Sequence, residues 1–197
     1  MRELVAATRN KDKVREIKKI LKNIRVRILT PDAFGKAPKI IEDGNTFEAN
    51  AAKKAQVISE FTGRMAIADD SGLEVLALDG RPGVRSSRFA GVGQDYLENN
   101  KKLLRLMKKV PAKKRKARFV CVIAIAKDGK VLKTVKGTCV GRIAFERRGK
   151  TGFGYDPVFI APEYGKTFAE LGPAIKNKIS HRYRALEKAA KALKKLL

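Results

Sequence analysis

Histidine is nearly missing from this chain, with one in 197 residues, and cysteine occurs twice. Zinc sites draw on clusters of these two residue types at ligand spacing, so zinc chemistry is not expected. Two cysteines also fall short of a disulfide framework. Pairing about an Asp128-Gly129 turn sets Cys121 opposite Lys136 rather than Cys139, and both thiols read as small core hydrophobes. Long apolar runs are absent too, and none approaches the ~20 residues of a membrane span. The N-terminus, Met1 to Val5, enters a strand-like pattern at once and leaves no room for a signal peptide, so a cytoplasmic location without membrane contact is expected. The last scarcity is acid: 20 Asp and Glu stand against 45 Lys and Arg, a formal charge of +25. Such a field attracts polyanions, whether nucleotides, nucleic acid or an acidic membrane surface.

What remains fits a soluble globular protein, 44% hydrophobic and 33% charged. The length suits one domain, or one domain with two lobes. With no internal repeat, low-complexity linker or boundary, residues 1–197 are read as a single domain.

Residues 2–7 form a short apolar strand. Val14, Ile17 and Leu21 then fall at i, i+3 and i+7, the spacing of a helix with one buried face, and Asn10 is placed to cap it. Arg9, Lys11 and Lys13 crowd this helix start, where the dipole disfavours cations, and Asp12 offsets only part of that. The helix predicted from about Gln94 to Val110 has the opposite order, opening with Asp95 and Glu98 and closing with lysines and Arg105. A turn with free backbone N–H groups and surplus basic side chains suits an anion such as phosphate. A chain that places lysines everywhere is the other explanation.

Ile24 to Leu29 reads as a second strand and Thr30 to Pro38 as a turn-rich segment. Thr46 caps a helix to about Phe61 whose inner face is Phe47, Ala51, Ala55 and Ile58. From Lys101 to Arg118 there are ten Lys and Arg and no acid, either a solvated face or a nucleic-acid patch. No aromatic interleaves that run before Phe119, which argues against a base-stacking surface. Phe119 to Ala126 is apolar on both faces, a central strand, and Asp128-Gly129 turns it into Val131 to Val140 as a hairpin. Near the end, Ser180 caps a helix with an apolar face of Leu186, Ala189, Ala190 and Leu193. His181 opens it, and Lys176, Lys178, Arg182 and Arg184 ring its start. The cationic helix starts near Lys13 and His181 are expected to converge on one polyanion.

The centre of the pattern is Arg64 to Gly91. Met65 to Ala68 delivers two adjacent carboxylates, Asp69 and Asp70, and is expected to stop at a Ser71-Gly72 turn before a second apolar stretch, Leu73 to Leu78. Like charges at the end of a buried strand call for a positive partner, usually a divalent metal. A solvated turn is the alternative. Alternation sends Asp69 and Asp70 to opposite faces of a strand unless the chain turns between them. Glu42 is the other acidic candidate. In Gly149 to Pro157, Phe153 either tucks into the core or presents an aromatic wall to a flat ligand.

Five segments in order, ATRNKDKVRE, EDGNTFEANAAKKA, AIADDSGLEVLALDGRPGVRSSRFAG, KTGFGYDPVF and SHRYRALE, resemble the Ham1-like (ITPase or RdgB-type) family, over about Leu4 to Leu193. The resemblance implies a mixed α/β fold with a central sheet flanked by helices, two lobes with an active-site cleft between them, and a homodimer. It implies Mg²⁺-dependent hydrolysis, with one or more ions per site, of non-standard (deaminated) purine triphosphates, ITP, dITP and XTP, to monophosphate and pyrophosphate. It places Thr8, Arg9, Asn10, Lys11, Asp12 and Lys13 at the phosphate-binding turn. Glu42 and Asp70 match metal-associated carboxylates, with Asp70 the proton acceptor, and Asp69 is taken beside them as a supporting metal candidate. Ser71, Phe153, Gly154, Tyr155, Asp156, Lys176, His181 and Arg182 match substrate contacts. Arg9 stands where many members carry a small residue, and Ser87 and Phe89 replace a more usual Ala and Tyr. The competing readings are a basic nucleic-acid-binding protein and a Maf-type pyrophosphatase for modified pyrimidine nucleotides. On the enzyme reading nucleic acid is not required, although the basic surface could bind it weakly.

Overall fold

In the computed structural model the described residues are 2–91, 93 and 95–197. The seven strands form one mixed sheet: β1 (Arg2–Ala6), β2 (Val26–Leu29), β3 (Met65–Val75), β4 (Lys116–Lys127), β5 (Lys130–Ile143), β6 (Phe159–Ala161) and β7 (Lys166–Thr167). Their order is β2-β1-β3-β4-β5-β6-β7. The β1 strand pairs in parallel with β2 and β3, while β6 is antiparallel to β5 and β7. The helices are α1 (Lys11–Ile20), α2 (Phe47–Thr62), α3 (Tyr96–Leu106), α4 (Phe168–Ile179) and α5 (His181–Leu196). The expected mixed sheet flanked by helices is therefore present.

Two compact units divide the chain: residues 1–70, 121–137 and 182–197 form the first, and 71–120 and 138–181 the second. In the first unit, Leu4, Ile17, Leu21, Ile67, Ile123, Leu186 and Leu193 share one core. Local chemistry starts the first two helices as the sequence predicts. Asn10 accepts from the backbone N–H groups of Asp12 and Lys13 to open α1, and Thr46 accepts from Ala49 N to open α2. Gly63, with φ of 60°, ends α2 in the left-handed region where a side chain is strained. Phe47, Ala51, Ala55 and Ile58 are buried along α2 as expected. The first-unit part of β4 is covered on both faces, since Cys121 to Ala126 are each at most 1% exposed. Asp128 and Gly129, with φ of 51° and 71°, make the tight turn into β5.

The second unit has its own core, including Leu73, Leu103, Phe119, Val158, Phe159 and Phe168. Both cysteines are free and buried, as expected. Burial, with Asp69 next in weight, pushes the Cys121 thiol up to about 12.

Three expectations need correction. The predicted turn at Ser71-Gly72 does not exist, because β3 runs unbroken through both aspartates to Val75. Nearby side chains satisfy the carboxylates, so the strand need not break to hydrate them, and Leu73 N donates to Ser86 Oγ at 2.9 Å. The stretch from Leu76 to Leu78 is a 3₁₀ turn instead of strand. The helix predicted to reach Val110 ends at Leu106, and its predicted first residue, Gln94, lies outside the described residues. Helix α4 was not anticipated. A reciprocal pair starts it, Thr167 N to Glu170 Oε2 and Glu170 N to Thr167 Oγ1, and Gly172 and Pro173 kink it. Among the described residues, no helix is long and apolar enough to cross a membrane.

Candidate active site

The turn from β1 into α1 holds six of the predicted residues. Thr8 Oγ1 accepts from Asn10 N at 3.2 Å, and Asn10 Oδ1 accepts from Asp12 N and Lys13 N at 2.9 and 3.2 Å. The backbone donors expected to be free for an anion are thus partly taken by the cap. Arg9 turns to Asp32 (3.3 Å) and Asp12 to Arg15 (3.1 Å), both exposed pairs, and Lys11 lies on the surface. Lys13 alone reaches inward, its ammonium 3.0 Å from Asp69 Oδ2.

Alternation along β3 separates the two aspartates as predicted. Asp69 Oδ2 receives Lys13 and the Arg182 guanidinium, whose Nη2 is 3.1 Å away. Arg182 also donates to Glu16 at 2.6 Å. The cationic starts of α1 and α5 do converge, but on a carboxylate of the chain itself. Burial alone would raise the Asp69 pKa, yet Lys13, Arg182 and Lys54 together hold it well below the usual carboxylate range. Asp69 stays ionised and is a poor proton acceptor. Arg182, despite burial that favours its neutral form, is held charged by Asp69 and Glu16.

Asp70 faces the other way. Its Oδ2 accepts from Asn50 Nδ2 at 3.1 Å, and its Oδ1 is 3.5 Å from Lys54 Nζ, which also meets Glu42 Oε1 at 2.8 Å. Burial raises the Asp70 pKa, and Lys54 does not fully offset it. The ammonium of Lys54, disfavoured by burial, is kept charged by Asp70, Asp69 and Glu42. Two neighbouring carboxylates thus have opposed proton affinities, the arrangement that lets one stay charged while the other handles protons.

Divalent magnesium can be tested against this donor set. Glu42 and Asp70 already converge on one cation, the Lys54 ammonium, and both offer hard oxygen ligands. Among the described residues, no group of three or more His, Cys, Asp or Glu gathers round a common point. Magnesium commonly needs only one or two carboxylates, completing its shell with water and substrate phosphates, so Glu42 and Asp70 fit it. Asp69, expected beside them, has its oxygen committed to Lys13 and Arg182 and fits less well.

The second unit holds the aromatic loop. Asp156 is its hub: the carboxylate accepts from Phe153 N at 2.9 Å and from Lys176 Nζ at 2.7 Å, and all three lie in this unit. A Cβ at Gly152 would stand 2.1 Å from Asp156 Oδ2, so glycine is required for the loop to wrap that carboxylate. Lys176 lies 4.3 Å from the centroid of the half-buried Phe153 ring, and Tyr96 packs beside that ring at 6.1 Å. The hydroxyl of buried Tyr155 donates to Ser86 O, and Asn100 Nδ2 donates to Gly154 O at 2.8 Å. His181 stacks on Phe119 with centroids 4.5 Å apart and is 4% exposed. Ser71 is half-buried where β3 enters this unit.

The sequence reading missed Asn50, Lys54, Glu16, Ser86 and Asn100. Lys54 had a legible signal, since a lysine beside Ala51, Ala55 and Ile58 sits on the buried face of α2. Asn50 shares that face. Glu16, Ser86 and Asn100 gave none, because only tertiary placement brings them to their partners.

The Ham1 family model matches residues 4–192. A protein named dITP/XTP pyrophosphatase from Desulforamulus reducens is 52% identical, covering 98% of this chain and 96% of its own. The protein of that name from Geobacillus kaustophilus is 49% identical, covering 95% and 92%. Among solved structures, a HAM1 protein from Coxiella burnetii aligns with a TM-score of 0.90 at 41% identity, covering 99% of this chain and 100% of the other. The Ham1 protein of Staphylococcus aureus aligns at 0.88 and 36% identity, covering 100% of each.

Proposed function

We propose, from the premise that this chain belongs to the Ham1 family, that Asp70 and its partners catalyse the reaction and that the Phe153 loop selects its substrate. The chain is a nucleoside triphosphate pyrophosphatase acting on non-standard purine triphosphates such as dITP and XTP, the activity for which its relatives are named. The products are the nucleoside monophosphate and pyrophosphate. Residues 1–197 act as one domain in this reading, since one family model spans nearly all of them.

The observation that carries the assignment of roles is the opposed proton affinity of Asp69 and Asp70. Water attacks the α-phosphorus and gives its proton to Asp70, the carboxylate of the pair that is not locked between Lys13 and Arg182, while the bond from the α-phosphorus to the α,β-bridging oxygen breaks and pyrophosphate leaves. Asn50 and Lys54 hold the Asp70 carboxylate in place. Lys13 and Lys176 supply positive charge to the phosphates, each drawn from a carboxylate that keeps it aligned beforehand. Asp69, ionised and locked by Arg182, positions Lys13. Mg²⁺ bound by Glu42 and Asp70 would supply Lewis-acid neutralisation of triphosphate oxygens.

Phe153 offers a stacking face for the purine, with Lys176 fixed beside it through Asp156. Gly154, Tyr155 and Ser71 shape the substrate contacts, and His181 is the group assigned to the base edge. Thr8, Arg9, Asn10, Lys11 and Asp12 form the phosphate turn, where Thr8 and Asn10 set the backbone and the other three lie at its margin. The family resemblance also implies a homodimer, and a cytoplasmic location is part of this reading; sedimentation and fractionation are the checks.

Rates of pyrophosphate release from ITP, XTP, dUTP and ATP at one Mg²⁺ concentration test this reading. A site built to pair a 6-keto oxygen should favour ITP and XTP over ATP by about a hundredfold or more. Equal rates for ITP and ATP contradict that selectivity, and a preference for dUTP indicates a pyrimidine enzyme.

A further inference from the structure

We propose that the loop joining α3 to β4, together with Phe145, is a docking surface for single-stranded nucleic acid. It lies wholly in the second unit and includes none of the residues assigned to the reaction. The acid-free run from Lys101 to Arg118 is paired at its ends, Lys101 with Glu98 and Arg118 with Glu74. In its middle, Arg105, Lys108, Lys109, Lys113, Lys114 and Lys116 are exposed, and none has a carboxylate partner among the described residues.

The run is not a loose solvated strand of charge. Arg115 is 1% exposed and fastens it from inside. Its guanidinium donates to the carbonyls of Met107 (2.6 Å) and Val110 (3.1 Å) on one side and Ile143 and Ala144 (both 2.8 Å) on the other. The backbone carrying the free cations is thereby ordered before any partner arrives, which lowers the entropy lost on binding. The same guanidinium lies 4.3 Å from the centroid of Phe145, a residue that is 65% exposed. The sequence shows no aromatic within the basic run, but the fold supplies one from the end of β5.

Cations that follow a backbone beside a fixed, open aromatic ring match what a single strand presents: spaced phosphates and unstacked bases. A duplex offers the phosphates but keeps its bases stacked, so the ring would add nothing there. The charge complementarity commits the surface to a polyanion, and the ring selects the single strand.

Fluorescence anisotropy with a labelled 20-nucleotide oligo(dT) tests the assignment on the full chain. Combined Lys108→Glu, Lys109→Glu, Lys113→Glu and Lys114→Glu should weaken binding about a hundredfold in moderate salt and flatten the log–log salt slope by about 3. Phe145→Ala should weaken oligo(dT) binding about tenfold, leaving duplex binding unchanged. dITP turnover should stay at the wild-type level in both variants, which shows that they fold and separates this proposal from the catalytic one. A matched reversal on α5 (Lys188→Glu, Lys191→Glu, Lys194→Glu and Lys195→Glu) controls for net charge and should retain most of the affinity. The proposal is overturned if the α5 variant loses as much as the loop variant. It is equally overturned if wild type fails to bind oligo(dT), or binds only phosphatidylserine-containing vesicles.

Discussion

Asp69 and Asp70 are chain neighbours on one strand, yet their surroundings do opposite things to a proton. Asp69 meets an ammonium and a guanidinium at about hydrogen-bond distance, and cation attraction overcomes burial. Asp70 meets an amide and shares a single ammonium with Glu42, and there burial wins. The number of positive partners per carboxylate decides the outcome, and strand alternation decides which partners each can have. One aspartate is fixed architecture, the other a reactive group.

The sharpest way to break this comparison is Asp70→Asn. Turnover of dITP should fall by about two to four orders of magnitude, the usual worth of a positioned base, with little loss of melting temperature. Retained turnover would falsify the assignment of Asp70. Asp69→Asn should instead act first on stability, with turnover lowered only through the loss of Lys13 alignment. It strands Lys13 and Arg182 around a neutral amide, and breaking a buried pair in this way costs about 3–5 kcal/mol. Denaturant unfolding measures that loss, and a stability equal to wild type would mean that Asp69 is not the anchor described here.

A smaller effect is expected from Lys54→Met. Without the ammonium, Asp70 faces Glu42 with less compensation, so the acid limb of the rate profile should move to higher pH. An unmoved limb would show that Lys54 does not set the Asp70 proton affinity.

The smallest effect concerns stability and pH. Asp69 is lowered relative to the unfolded chain, so its contribution is present above the unfolded carboxylate pKa and fades as pH falls below it. Asp70 is raised, so its ionisation disfavours the fold, and this penalty grows as pH rises from the unfolded pKa through the folded one. Asp70→Asn should therefore flatten the high-pH side of that window, and Asp69→Asn the acid side, in melts taken across pH.

The elements that were legible in the sequence carried short-range signals. Asn10 and Thr46 cap the helices they precede, and Asp128-Gly129 turns the hairpin, because each acts on backbone a few residues away. Alternation rightly separated the aspartates. The break at Ser71-Gly72 was misread because turn chemistry applies only where side chains compete with the ladder, and here tertiary partners satisfied the carboxylates instead. Helix α4 was overlooked although Thr167 and Glu170 carry its capping signature, since Gly172 and Pro173 interrupt the apolar period. Arg115 counted as one more surface cation in a basic run, and only the positions of four distant carbonyls reveal it as a buried clasp.

The two thiols have a practical consequence for experimenters. Cys121 is fully enclosed with its pKa pushed up to about 12, and Cys139 is 5% exposed. At neutral pH a maleimide or a spin-label reagent finds almost no Cys121 thiolate to attack in the native protein, and Cys139 is shielded by burial. A cysteine introduced on the surface, at Lys113 or Thr151 for example, becomes the preferred attachment point for a dye or probe without first stripping the natural ones. The chain is ready for single-site spectroscopy as it stands.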